Sequence, residues 1–138
     1  MTKVSMTTKL SVPADQVWNV IGGFNALPNW HPAVKESKLD AGGRIRKLDL
    51  AGGGNITEKL EKFDDKQQVY SYSIVQGPLP VANYTATLKV NRAKDGKGCT
   101  VEWSSEFSPS GTSEEEARRA IERVYQAGFE SLKKMFGG

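Results

Sequence analysis

Residues 55 to 107 constrain the fold more than any other stretch. They alternate residue by residue through long segments whose inward-looking faces mix large apolar side chains with Glu58, Tyr70, Tyr72, Tyr84 and Trp103. A sheet built only for structure buries leucine, isoleucine and valine on that face. This one is set to bury hydroxyls, an indole and a carboxylate, each of which needs a partner once it leaves water. The pattern points to a lined cavity rather than a filled core.

The punctuation of this stretch predicts successive antiparallel hairpins. Strands over 55–63, 67–75, 81–92 and 99–107 are separated by turns at Asp64-Asp65-Lys66 and Lys94-Asp95-Gly96-Lys97-Gly98 and by the loop Gln76-Gly77-Pro78-Leu79-Pro80. Upstream, 4–10 suits a strand, and Pro13 suits the first turn of a helix carrying Val17, Trp18, Val20 and Ile21. Gly22-Gly23 is expected to end that helix, and Phe24 to Leu27 can add one further helical turn. Trp30-His31-Pro32 must then be an irregular corner, because proline holds its predecessor extended. Strands over 34–39 and 44–50 flank the Asp40-Ala41-Gly42-Gly43 turn, and Gly52-Gly53-Gly54 leads into the strand at 55.

Ser113 followed by Glu116 is a capping box, Glu114 and Glu115 suit the start of a helix, and Lys133, Lys134 and Gly137 suit its end. Ala117, Ile121, Val124, Gly128, Leu132 and Met135 form one stripe of that helix, which must lie across the sheet. Strands in a run beside segregated helices imply an α+β class.

The 138 residues suit one domain, 1–138, with a core large enough to do without disulfides or a structural metal. A formal charge of +3, with the signs interspersed, does not favour nucleic acid. The lone Cys99 reads as a small buried hydrophobe, which fits a reducing, cytoplasmic setting. No segment has the length and apolarity of a signal peptide or a membrane span, so a soluble protein is expected. His31 is the only histidine, excluding multi-histidine zinc sites, and the Asp64-Asp65 pair sits where a turn wants such residues; no metal and no cofactor are expected. The glycine run lacks the lysine and helix of a phosphate loop.

Three segments stand in an order that carries a resemblance: Val12-Pro13-Ala14-Asp15-Gln16-Val17-Trp18, then Leu27-Pro28-Asn29-Trp30-His31-Pro32, then Glu58-Lys59-Leu60 through Asp64-Asp65. With Tyr70-Ser71-Tyr72, the 80–84 segment and the terminal helix, nearly the whole chain resembles the SRPBCC (START-like) superfamily, in its polyketide cyclase/dehydrase-like branch. The resemblance implies a helix-grip fold. There a seven-stranded curved antiparallel sheet wraps a long C-terminal helix, one or two short helices follow the first strand, and a cavity between sheet and helix takes hydrophobic small molecules. Plant abscisic-acid receptors share this fold; their gate and latch loops would correspond to 51–54 and 77–80. Neither loop here keeps the receptors' motif, so hormone recognition does not transfer.

Within such a cavity, Trp30, Arg46, Glu58, Tyr72, Tyr84, Trp103, Phe107, Val124 and Gly128 are the expected ligand-binding residues. If 44–50 pairs with 55–63 through the glycine turn, Arg46 falls opposite Glu58, where it can keep the carboxylate ionised and orient a ligand. An internal ion pair that only fixes register is the alternative. Small residues at 82, 86, 105 and 128 facing aromatics either open volume or are filled by those aromatics. Binding of a lipid, polyketide or isoprenoid-like ligand is the leading expectation. A cyclase or dehydratase using Glu58, His31 or Arg46 to move protons or polarise a carbonyl is the rival, although His31 also suits a loop residue held by its neighbours. A ligand-gated interaction module is a third reading. A homodimer stays open, with no long exposed apolar face to argue for one.

Overall fold

The computed structural model describes residues 1–137. The elements run β1 (Thr2–Leu10), α1 (Ala14–Ile21), a 3-10 turn at Leu27–Asn29, β2 (Val34–Asp40), a second 3-10 turn at Ala41–Gly43, β3 (Ile45–Leu50), β4 (Asn55–Asp64), β5 (Val69–Gln76), β6 (Val81–Arg92), β7 (Cys99–Pro109) and α2 (Glu114–Phe136). All seven strands form one antiparallel sheet in the order β1-β7-β6-β5-β4-β3-β2. Every neighbour but one is a hairpin partner; β1 closes the series by pairing with β7, from Thr2 opposite Phe107 to Leu10 opposite Cys99. The segment from α1 to the first 3-10 turn thus carries the chain from one edge of the sheet to the other. The curved sheet with its long terminal helix is the expected helix-grip architecture.

Register shifts interrupt β4 against β5 on either side of 58–60 and β6 against β7 between Ala82 and Thr85. Such bulges bend a strand and re-aim its side chains, and two of them flank Glu58 and Tyr84.

Local chemistry explains most boundaries. Gly22 caps α1, its amide donating to the Trp18 carbonyl at 2.7 Å, and a Cβ there would lie 2.4 Å from the Trp18 indole, so only glycine fits beneath that ring. The Trp18 indole in turn donates to Asp65 at 2.8 Å and ties α1 to the β4–β5 turn. The extra helical turn falls at Leu27–Asn29, with Pro28 inside it rather than after it, since proline is tolerated where an N–H has no helical partner. Strand β5 starts at Val69 rather than at 67, because Asp64 accepts the Gln67 amide and Gln68 turns into the left-handed region at φ 55°.

Helix α2 begins as its capping box predicts, with the Ser113 hydroxyl accepting the Glu116 amide at 3.2 Å. Its buried stripe is Ala117, Ile121, Tyr125, Gly128, Phe129 and Leu132. Met135 is exposed and Val124 only half-buried. The stripe follows steps of four from Ala117, which carries it onto Tyr125 and Phe129 instead of Met135. Among the described residues, no helix is long and apolar enough to cross a membrane.

Candidate functional site

A cavity of about 390 Å³ lies between the sheet and α2. Leu48 and Leu50 from β3, Ile56 and Glu58 from β4, Tyr72 and Ile74 from β5, Tyr84 from β6 and Trp103 from β7 form its sheet side. Ile121 and Val124 close it from α2, while Leu27, His31, Ala33 and Val34 close it from the corner before β2. Ala51, Gly52, Gly53 and Leu79 complete the wall. The first three of these are exposed, which puts the mouth at the glycine loop and the β5–β6 loop. Gly53 and Gly54 take φ of 96° and 89°, a conformation that other residues resist, so this rim needs its glycines. The Ala51 amide donates to the Ala33 carbonyl at 2.9 Å, fastening the rim to the corner.

Glu58 is the charged residue of the wall. It stands directly opposite Arg46 in the β3–β4 register, as counting back from the glycine turn predicts. Arg46 is fully buried, and its Nε and Nη2 both reach Glu58 Oε1, at 2.8 and 2.7 Å. Its Nη1 donates to the Phe24 carbonyl at 2.7 Å. The guanidinium also lies 4.3 Å from the Phe24 ring centre and 4.9 Å from that of Tyr72, within cation–π range. Desolvation works against the Arg46 charge, but the attractions of Glu58, Tyr70 and Tyr72 and a hydrogen bond to Tyr70 together outweigh it and the guanidinium stays protonated. Burial pushes the Glu58 carboxyl up from its ordinary value, and the Arg46 charge and hydrogen bonds pull it back without cancelling that rise. Arg46 therefore does less to favour the carboxylate than sequence reasoning expects. A neutral Glu58 would still strand a fully buried guanidinium without a counter-charge, so the two persist as an ion pair at neutral pH.

The tyrosine hydroxyls do not hang free. The Trp103 indole N–H donates to Tyr72 at 3.0 Å, and the Tyr84 and Tyr125 hydroxyls share a short hydrogen bond. Burial drives the phenols of Tyr72 and Tyr84 well above their ordinary pKa, so both stay neutral. Tyr125, which sequence reasoning passed over, also stacks on Trp103 at 4.3 Å between ring centres.

His31 borders the cavity, yet both of its ring nitrogens belong to the main chain. Nε2 donates to the Val124 carbonyl at 2.7 Å, and Nδ1 accepts the Ala33 amide at 3.2 Å. Both are engaged, so a substrate proton reaches His31 only if one of these bonds opens. Burial lowers its pKa from the ordinary value, opposed in part by the bond to Val124. The unfolded chain binds this proton at about pH 6.5; the folded chain resists it. The stability that His31 contributes is therefore complete above that pH and declines as pH falls below it. Urea unfolding between pH 7 and 5 should show a loss of stability on acidification that is smaller in His31→Gln; an unchanged pH dependence would mean that His31 takes its proton without penalty.

Glu58, Tyr72, Tyr84, Trp103 and Val124 come together on the wall. Arg46, Trp30, Phe107 and Gly128 stand one layer behind it. Arg46 backs the wall at Glu58 and at the Tyr72 ring, and Phe107 stacks on the Tyr84 ring, which lines the wall. Trp30 is 2% exposed and packed on Trp103, off the cavity lining. A Cβ on Gly128 would meet Trp30 at 2.9 Å and His31 and Trp103 at 3.0 Å each. The missing side chain of Gly128 is thus filled by three rings, and Ala86 and Ser105 are likewise buried off the wall. At Gly128 the aromatics fill the space, while the open volume lies toward β3 to β5. Its apolar lining of Leu48, Ile56 and Ile74 follows from the same register that sets Arg46 opposite Glu58, since Leu48 pairs with Ile56.

The comparisons agree with this geometry. Over 92% of its length the chain is 28% identical to the abscisic acid receptor PYL2 of Arabidopsis thaliana, of which it covers 73%. Its structure superposes on that of XoxI from Bacillus cereus with a TM-score of 0.96 at 40% identity, covering 99% of this chain and 96% of that one. The Zhui aromatase/cyclase of a Streptomyces species shares the fold, with a TM-score of 0.75 at 18% identity over 95% of this chain and 90% of the enzyme. The family model described as polyketide cyclase/dehydrase and lipid transport matches residues 1–137, and the chain belongs to that family.

Proposed function

We propose that the protein binds a small hydrophobic or aromatic molecule in the cavity between its sheet and α2. The observation that carries this reading is the wall: a volume of about 390 Å³ lined by aliphatic and aromatic side chains and interrupted by one carboxylate and two hydroxyls. That volume lies within the range of roughly 300–1,000 Å³ typical of ligand pockets, and the mixture of apolar walls and sparse polar groups is their usual chemistry. The family description and the hormone-receptor relative support the same class of ligand.

Binding is favoured over proton-transfer chemistry by the state of the candidate groups. His31 has no free ring nitrogen, and Glu58 is anchored by Arg46. Glu58, Tyr72, Tyr84, Trp103 and Val124 are the residues proposed to touch the ligand; Arg46, Trp30 and Gly128 hold them in place.

Native mass spectrometry of purified protein, followed by extraction of co-purified compounds and by calorimetric titration with neutral aromatic probes, tests the reading. We expect stoichiometric binding that Val124→Trp, which fills the cavity from α2, reduces at least tenfold while the chain stays folded. A chain that carries nothing, and takes up no neutral aromatic probe, would sink it.

A further inference from the structure

The polar wall of the cavity is lopsided. Arg46 donates a hydrogen bond from Nε to Glu58 Oε1 and holds Nη2 at 2.7 Å from that same oxygen, an ion-pair contact in which Nη2 makes no hydrogen bond of its own. No hydrogen bond reaches Oε2 among the described residues, although the Glu58 side chain is only 6% exposed and borders the cavity. Oε2 is not among the described atoms that are both fully buried and unpartnered, so it keeps some accessible surface where a donor entering the cavity can reach it. We infer that Oε2 is the recognition point of the cavity and that the ligand is an uncharged apolar molecule bearing a hydroxyl, alcohol or phenol, which donates to it. This rests on the apolar-ligand reading above and narrows it.

The charge balance excludes the alternatives. Glu58 and Arg46 together are neutral, and the Arg46 charge is spent behind the wall on Oε1. A carboxylate ligand would bring a second anion beside Glu58 into an apolar space whose wall holds no lysine or arginine to receive it. His31 does not substitute for one, since it is held neutral with both nitrogens engaged. An ammonium ligand would leave one uncompensated positive charge in the same space. A neutral donor alone satisfies Oε2 and keeps the cavity uncharged. A hydroxyl suits it further because the Tyr72 phenol, which accepts the Trp103 N–H, keeps its own hydrogen to give to an acceptor.

Three probes of matched shape decide the point by isothermal titration of the wild-type protein at pH 7: 2-naphthol, 2-methoxynaphthalene and 2-naphthoate. We expect 2-naphthol to bind at least tenfold more tightly than either of the others. Binding of the ether or the carboxylate as tight as that of the naphthol overturns the assignment of Oε2 and leaves the apolar-ligand reading standing. Binding of none of the three removes both. In Glu58→Gln the amide oxygen can keep Arg46 while the amide N–H groups face the cavity, turning an acceptor into a donor. The tenfold preference should then fall below threefold, and a preference that survives intact also overturns the assignment. If Glu58→Gln does not fold, the wild-type series still decides between these outcomes.

Discussion

Replacing Arg46 with methionine is expected to cost about 3–5 kcal/mol of folding stability, measured by urea unfolding at pH 7, because it leaves the Glu58 carboxylate buried without its counter-charge. The side chain is fully buried on β3, one strand in from the β2 edge of the sheet, and its loss also frees the Phe24 carbonyl that it holds at 2.7 Å. Two further measurements separate these contributions. Removing both charges in Arg46→Met with Glu58→Leu should restore most of the loss, since a well-packed apolar pair often matches a buried ion pair. A double variant as unstable as the single one would place the cost in the Phe24 contact and the packing.

The second measurement is pH. Without Arg46, only desolvation acts strongly on Glu58, and its folded pKa rises further above its unfolded value. Such a group contributes stability that is complete below the unfolded pKa and is lost as pH rises through the folded one. The single variant should therefore regain stability relative to wild type on acidification from neutrality, and a flat difference between the two would show that Glu58 is not the stranded charge.

The Arg46–Glu58 pairing was legible in the sequence because hairpin register is arithmetic: two strands joined by a short glycine loop can be counted back from the turn. The face shared by Tyr70, Tyr72, Tyr84 and Trp103 was legible for the same reason, since side chains on a strand alternate strictly. What lay beyond arithmetic was depth. Trp30 and His31 read as an irregular corner whose depth the sequence does not fix, and in the structure that corner packs against α2 and buries both. Gly128 read either as open volume or as space filled by aromatics, and the structure makes it the point where the helix touches three rings. The α2 stripe was drawn through Val124 and Met135 instead of Tyr125 and Phe129. Both choices are apolar at helical spacing, and only the position of the sheet's aromatics selects between them. Which oxygen of Glu58 receives Arg46 depends on the side-chain geometry of two buried groups, and no pattern of residue types encodes it.

Those buried rings meet at Trp103, and Trp103→Ala should cost about 3–5 kcal/mol, the range for deleting a large buried aromatic. Its indole is 2% exposed, stacks on Tyr125, packs against Trp30, His31 and Phe129, and donates its N–H to Tyr72. The alanine variant would join the vacated volume to the cavity, so larger neutral aromatics that wild type rejects should gain affinity as stability falls. Trp103→Phe separates packing from hydrogen bonding: a ring remains to stack on Tyr125, but the Tyr72 hydroxyl loses its donor, at a net cost of about 0.5–1.5 kcal/mol for that bond. Urea unfolding of both variants, with titration of a bicyclic and a tricyclic hydrocarbon, checks the two effects together. If Trp103→Ala loses stability without admitting the larger probe, the chain collapses into the space that the indole leaves, and Trp103 sets the stability of the site without setting its size.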